Sequence, residues 1–148
     1  MKKIIKWLDT KGIKCKPVYF GHDNYFYNAK NIRVEGIAIT FNADCTQIYN
    51  ETIKKVHMIE KYCKRYNYTI INDDLKNGRY YITILTNQDK SALDLYNKFY
   101  YKSTAECQQL IHIANIENDF QGLKEKLIKV MNYYGTQYNA ALKAINAA

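Results

Sequence analysis

The residues that most constrain this chain are Asn77-Gly78. They separate two runs, 68–71 and 80–85, that are rich in tyrosine, isoleucine and threonine. An Asn-Gly pair between such runs supplies the two positive φ angles of a tight hairpin turn. Upstream, Gly36-Ile37-Ala38-Ile39-Thr40-Phe41 alternates small and apolar residues, the period of a half-buried strand. Residues 46–65 then carry helical spacing. The stretch 34–86 therefore reads as strand, long helix and hairpin, and the rest of the chain is organised around it.

The long helix has two different sides. With Tyr49 at zero and about 100° per residue, Thr52, Ile53, Val56, Ile59 and Cys63 fall within a sector of about 120°. That sector suits a helix lying on a sheet. Lys54, Lys61 and Arg65 fall nearly opposite, between about 120° and 160°, beside Gln47 and Asn50. Glu60 lies near the apolar sector and can pair with Lys64 in the favourable order.

Before this stretch, residues 3–11 can form a short helix with Ile4, Ile5 and Leu8 on one side and Gly12 as its stop. Pro17-Val18-Tyr19-Phe20 reads as an edge strand, because a proline is tolerated at the first residue of one. Residues 21–24 read as a turn, Tyr25-Phe26-Tyr27 as a further strand and 28–33 as a loop. After the hairpin, Thr86-Asn87-Gln88-Asp89 offers a helix cap, followed by Ala92, Leu95, Tyr96 and Phe99 at helical spacing. Ser103-Thr104-Ala105-Glu106 matches a capping box and predicts a new helix there, with Cys107, Leu110, Ile111 and Ala114 as its apolar positions. Phe120, Leu123, Leu127, Val130, Met131 and Tyr134 form another stripe, ended by Gly135. Tyr138, Ala141, Leu142 and Ile145 form a weaker one.

Strands followed by a run of helices argue for an α+β fold: a small, mostly antiparallel sheet packed on a long helix, then a C-terminal helical region. The expectation is one domain over 1–148, with the sheet and long helix in 1–86, helices in 87–148, and an appended hairpin from about 119. The Phe120-to-Tyr134 stripe must be covered, either by the core or by a second copy in a homodimer.

Charge narrows the partners. Lys and Arg exceed Asp and Glu by 22 to 14, a formal net charge of +8. Six of those lysines (2, 3, 6, 11, 14 and 16) lie in the first sixteen residues, against one acid, Asp9. Tyrosine occurs 15 times. The abundance of Lys, Asn, Ile and Tyr is also the signature of an AT-rich genome. Cysteines 15, 45, 63 and 107 contain no CxxC pair, so metal spacing is absent and free thiols in the cytoplasm are expected. Lys6 and Asp9 interrupt any signal-peptide core, and no apolar run reaches the length of a membrane span.

Candidate chemistry is sparse. His22-Asp23 sits in the expected turn, where Asp and Asn are turn formers. His57 and His112 lie six and five residues from Cys63 and Cys107, offsets that do not share a helical face. Asp73-Asp74-Leu75-Lys76 resembles the carboxylate–x–lysine element of metal-dependent nucleases, but it runs into the Asn-Gly turn, which itself calls for polar residues. There is no Gly-rich phosphate loop and no nucleophile elbow. The remaining signal is basic and aromatic. Lys2, Lys3 and Lys6 at one end, and Lys54, Lys61 and Arg65 on the long helix, can contact phosphates. Tyrosines among them, Tyr62 and Tyr80 foremost, can stack on bases or anchor an interface.

At Ile59-Glu60-Lys61-Tyr62-Cys63-Lys64-Arg65-Tyr66-Asn67-Tyr68 the chain resembles small accessory proteins carried by phages of AT-rich bacteria. That resemblance implies a protein acting in the bacterial host cell by binding rather than catalysis, within a class that includes anti-CRISPR and other anti-defence inhibitors. The expected partner is a host defence nucleoprotein, such as an RNA-guided CRISPR nuclease, or its guide RNA or DNA, with no cofactor and no metal. A stand-alone DNA- or RNA-binding module is the alternative, and a metal-dependent nuclease the second.

Overall fold

The computed structural model describes residues 1–20 and 34–147; His22-Asp23, the turn at 21–24, the strand at Tyr25–Tyr27 and the loop at 28–33 lie outside the described residues. The elements run α1 (Lys2–Thr10), β1 (Lys16–Phe20), β2 (Val34–Asn42), α2 (Thr46–Arg65), β3 (Tyr68–Lys76), β4 (Arg79–Thr86), α3 (Asn87–Glu117) and α4 (Leu123–Ala147). The fold is α+β. The chain divides into two compact units, one of residues 1–20 and 34–90, the other containing α3 from Ser91 onward and α4. The boundary expected at 86/87 thus falls one turn into α3.

In the first unit the strands pair antiparallel in the order β1-β2-β4-β3. Asn77 and Gly78 take φ of 54° and 71°, as the hairpin requires. Ile37, Ile39 and Phe41 face Ile84, Ile82 and Tyr80 across β2 and β4. Because side chains alternate along a strand, all six lie on one face of the sheet. Ile4 and Leu8 of α1 and Val56, Ile59 and Cys63 of α2 join the isoleucines in one buried cluster. The apolar sector read from the sequence is therefore the side of α2 that is covered, with Thr52 also buried and donating to the Asn42 carbonyl at 2.9 Å. Glu60 is exposed, so it has no burial for Lys64 to offset.

α1 ends as its glycine predicts. Gly12 has φ of 67°, and Ile13 N–H reaches back to the Leu8 carbonyl at 3.0 Å, closing a Schellman motif between two buried side chains. Gly36 meets a different need. A Cβ there would lie 2.6 Å from Leu85 Cδ2 and 2.9 Å from the Ile84 carbonyl oxygen, so only a bare backbone fits. β3 is longer than expected. It bulges between Ile70 and Asn72 and continues to Lys76, so Asp73-Asp74-Leu75-Lys76 is edge strand rather than turn.

The second unit corrects the helix count. Thr86 and Asp89 do cap α3, with Asp89 N–H donating to Thr86 Oγ1 at 3.0 Å. The Ser103–Glu106 box starts nothing, because α3 runs unbroken for 31 residues. Ser103 is buried mid-helix, Thr104 bonds back to the Tyr100 carbonyl at 2.9 Å, and Glu106 accepts the Tyr134 hydroxyl. The real stop is Asn118 at φ 51°, with Asp119 N–H reaching the Ala114 carbonyl at 3.1 Å. Gly135 is no stop either. It is buried inside α4, so the last two stripes are one helix. The two helices expected as an appended hairpin from about 119 are therefore a single helix, α4, and the hairpin is made instead by α3 and α4 with its turn at 118–122. Phe99 meets Tyr134 and Tyr138 at 6.3 and 6.5 Å between ring centres, and Tyr96 meets Tyr138 at 6.0 Å. The stripe that needed a cover thus meets α3 at Tyr134, while Phe120 in the connecting turn stays 54% exposed. No helix of the described residues is long and apolar enough to cross a membrane.

Candidate nucleic-acid interface

Basic residues far apart in sequence come together in the first unit. Helical periodicity sets Lys3 and Trp7 on one flank of α1, four residues apart, and Tyr62 of α2 stands four residues before Tyr66, the residue that caps the end of α2. The shared core brings the two pairs into contact. Trp7 stacks on Tyr62 with ring centres 4.0 Å apart and planes at 17°. Tyr62 also meets Tyr66 at 4.6 Å and Tyr68 at 6.3 Å, so it is the hub of a four-ring group. The Lys3 ammonium sits 4.0 Å from the centre of the Tyr66 ring, and the Arg65 guanidinium carbon 5.4 Å from the same ring. Cations over an aromatic face are held by the ring quadrupole.

Lys2, Lys3, Lys6, Lys54, Lys61 and Arg65 are all exposed. Along α2 the last three reach from Lys54 to Arg65, eleven residue steps or about 16 Å of helix axis. Lys64 and Arg65 stand in its final turn, where positive charge also complements the helix dipole. Beside this face is an open depression of about 410 Å³ lined by Glu60, Cys63, Lys64, Tyr68, Thr69, Ile70 and Asn87. Burial pushes the Cys63 thiol up to about 12, with Glu60 adding to the shift, which keeps the sulfur protonated and unreactive.

The two singled-out tyrosines part company. Tyr62 is at the centre of the aromatic group, and burial first, then Tyr68 and Tyr66, raises its phenol. Tyr80 packs on the core, and its hydroxyl donates to Asp73. Burial and that bond raise its phenol. Trp7 is the residue sequence reading missed. Its signal was the four-residue spacing from Lys3, the counterpart of Tyr62 and Tyr66 at the end of α2.

Among the described residues, the side chains named for the catalytic alternatives lie apart. Asp73 lies opposite Ile82 and Asp74 opposite Tyr81, so the two carboxylates point to different faces of the sheet. His57 is exposed whereas Cys63 is buried. Among the described residues no three His, Cys, Asp or Glu side chains converge as a metal site would need.

Comparison with known proteins adds little. No family model and no curated protein matches the chain. Among solved structures it superposes on the crystal structure of the meganuclease I-SmaMI bound to uncleaveable DNA with a TTCT central four, at a TM-score of 0.34 and 12% identity. The match covers 86% of this chain and 41% of that one. A likeness at that level fixes neither fold nor function.

Proposed function

We propose that this protein is a non-catalytic binding protein that docks on a host defence nucleoprotein, such as an RNA-guided CRISPR nuclease, and inhibits it. The cationic face of α1 and α2 contacts its RNA or DNA backbone. The observation that carries the reading is the exposure of Lys54, Lys61 and Arg65 on the side of α2 turned away from the sheet, continued through Tyr66 to Lys3 on α1. The phage resemblance of residues 59–68 supplies the choice of target. Contacts of this kind give affinity without sequence readout and weaken with salt.

The test is the triple variant Lys54→Glu, Lys61→Glu, Arg65→Glu. It should keep its circular dichroism spectrum and lose inhibition of an RNA-guided nuclease. On bare RNA or DNA, the slope of log affinity against log salt should flatten by about 0.7–0.9 for each contact removed. Unchanged inhibition together with an unchanged salt slope would remove the helix face from the account. A stand-alone nucleic-acid module uses the same face, and is distinguished by tight binding to bare nucleic acid without any effect on the nuclease. A homodimer is proposed on the exposure of Phe120 at 54% and Ile116 at 70%. Light scattering of the wild type should then give twice 17.4 kDa, and Phe120→Ser the mass of one chain.

A further inference from the structure

We infer that the cationic face takes single-stranded rather than duplex nucleic acid, with Tyr66 as the platform on which an unpaired base stacks. The inference rests on the reading above and names its substrate class. A face that only neutralises phosphates needs lysines and arginines and nothing else. Here the cations of two separate helices converge on an aromatic ring, with Lys3 at 4.0 Å and Arg65 at 5.4 Å from its centre.

Tyr66 is half-buried and packed against Tyr62 in a tilted pair at 4.6 Å and 45°, and Tyr62 is in turn stacked on Trp7. The platform is therefore preorganised, while the group resting on it is a lysine on a flexible four-carbon stem. A base arriving at Tyr66 displaces the Lys3 ammonium from the ring, and the freed ammonium is then beside the phosphate of the same nucleotide. Arg65, over the same ring at 5.4 Å, adds a guanidinium plane that can itself accept a stacked base. In a duplex the base faces are closed by their neighbours, so the ring would have nothing to meet. Tyr68, 6.3 Å from Tyr62, lines the open depression together with Lys64, which gives an adjacent unstacked base a place to lie.

The experiment is fluorescence anisotropy at about 50 mM salt on a labelled single strand of about 16 nucleotides, as RNA and as DNA, and on the duplex of the same sequence. The wild type should prefer the single strand. Tyr66→Leu should lose between about 5- and 150-fold on the single strand, the span for one stacked base, with duplex affinity unchanged. Tyr66→Phe should keep wild-type affinity, since it retains the ring. Equal affinity of the wild type for both forms overturns the inference, as does a loss in Tyr66→Leu that is equal on both or absent. Should the duplex bind through Lys54, Lys61 and Arg65 while Tyr66→Leu behaves as wild type, only this inference falls. Should neither form bind at low salt, the cationic-face reading falls with it.

Discussion

The two units of this protein are stabilised by different means. Among the described residues, all nine of the largest fully buried side chains (Ile4, Leu8, Ile37, Ile39, Val56, Ile59, Ile82, Ile84 and Leu85) belong to the first unit. The buried residues of α3 and α4 in the second are Ala92, Ser103, Ala114, Tyr134, Gly135 and Tyr138. One unit is an aliphatic core closed by a sheet and two helices. The other is a hairpin whose helices meet through small residues and tyrosine rings. Aliphatic burial scales with area and leaves little room for a void, whereas ring contacts and hydroxyl bonds each contribute a small, separable amount. A cooperative core and a set of individually modest contacts should respond differently to damage.

The largest test of that contrast is Ile59→Ala against Leu127→Ala. The first should lower stability in a denaturant titration by about 3–4 kcal/mol, through lost transfer energy and a residual cavity. The second removes a half-buried side chain and should cost about 1 kcal/mol. Equal losses would break the contrast. Next comes Gly36→Ala. Its new methyl meets the Leu85 side chain and the Ile84 backbone, and should cost about 1–3 kcal/mol by overpacking, with no counterpart in the hairpin.

Two tyrosines sharpen the comparison from the other side. Tyr134 donates to Glu106, whereas the Tyr138 hydroxyl is buried with no hydrogen-bond partner among the described residues. Tyr134→Phe should therefore cost about 1 kcal/mol and Tyr138→Phe gain about as much, since a buried orphan hydroxyl is itself a cost. Thermal melts of the pair should move in opposite directions.

The smallest effect is chemical. Cys63, held protonated by burial to about 12, should be the slowest thiol to react with a disulfide reagent at mildly alkaline pH, and exposed Cys45 the fastest. The thiol ionises near 9.0 when unfolded and near 12 when folded. Its contribution to stability is therefore whole below pH 9 and declines as pH rises from there towards 12. Mutating Cys63→Ala should flatten that alkaline decline.

Local signals were legible wherever backbone chemistry alone decides. Asn77-Gly78 and Gly12 demand positive φ, and the spacing of Val56, Ile59 and Cys63 fixes which side of α2 is covered. They misled where the same letters serve two roles. Ser103 and Glu106 match a cap at a helix start, yet mid-helix the serine is small enough to bury and the glutamate is taken by Tyr134. Gly135 resembles a helix end, but it is buried within α4. The candidate interface divides in the same way. The cations of α2 were readable from a helical wheel, while their meeting with Lys3 and Trp7 depends on how α1 packs, which no local pattern encodes.

The outer half of β3 has a further consequence. From Asn72 to Lys76 it is exposed at the rim of the sheet, presenting backbone donors and acceptors that another extended chain can zip onto. Asp73, Asp74 and Lys76 place charge along that rim, and the bulge beside Ile71 bends it out of register. Charge and bulge together thus disfavour the pairing of a further strand along this one edge of the sheet.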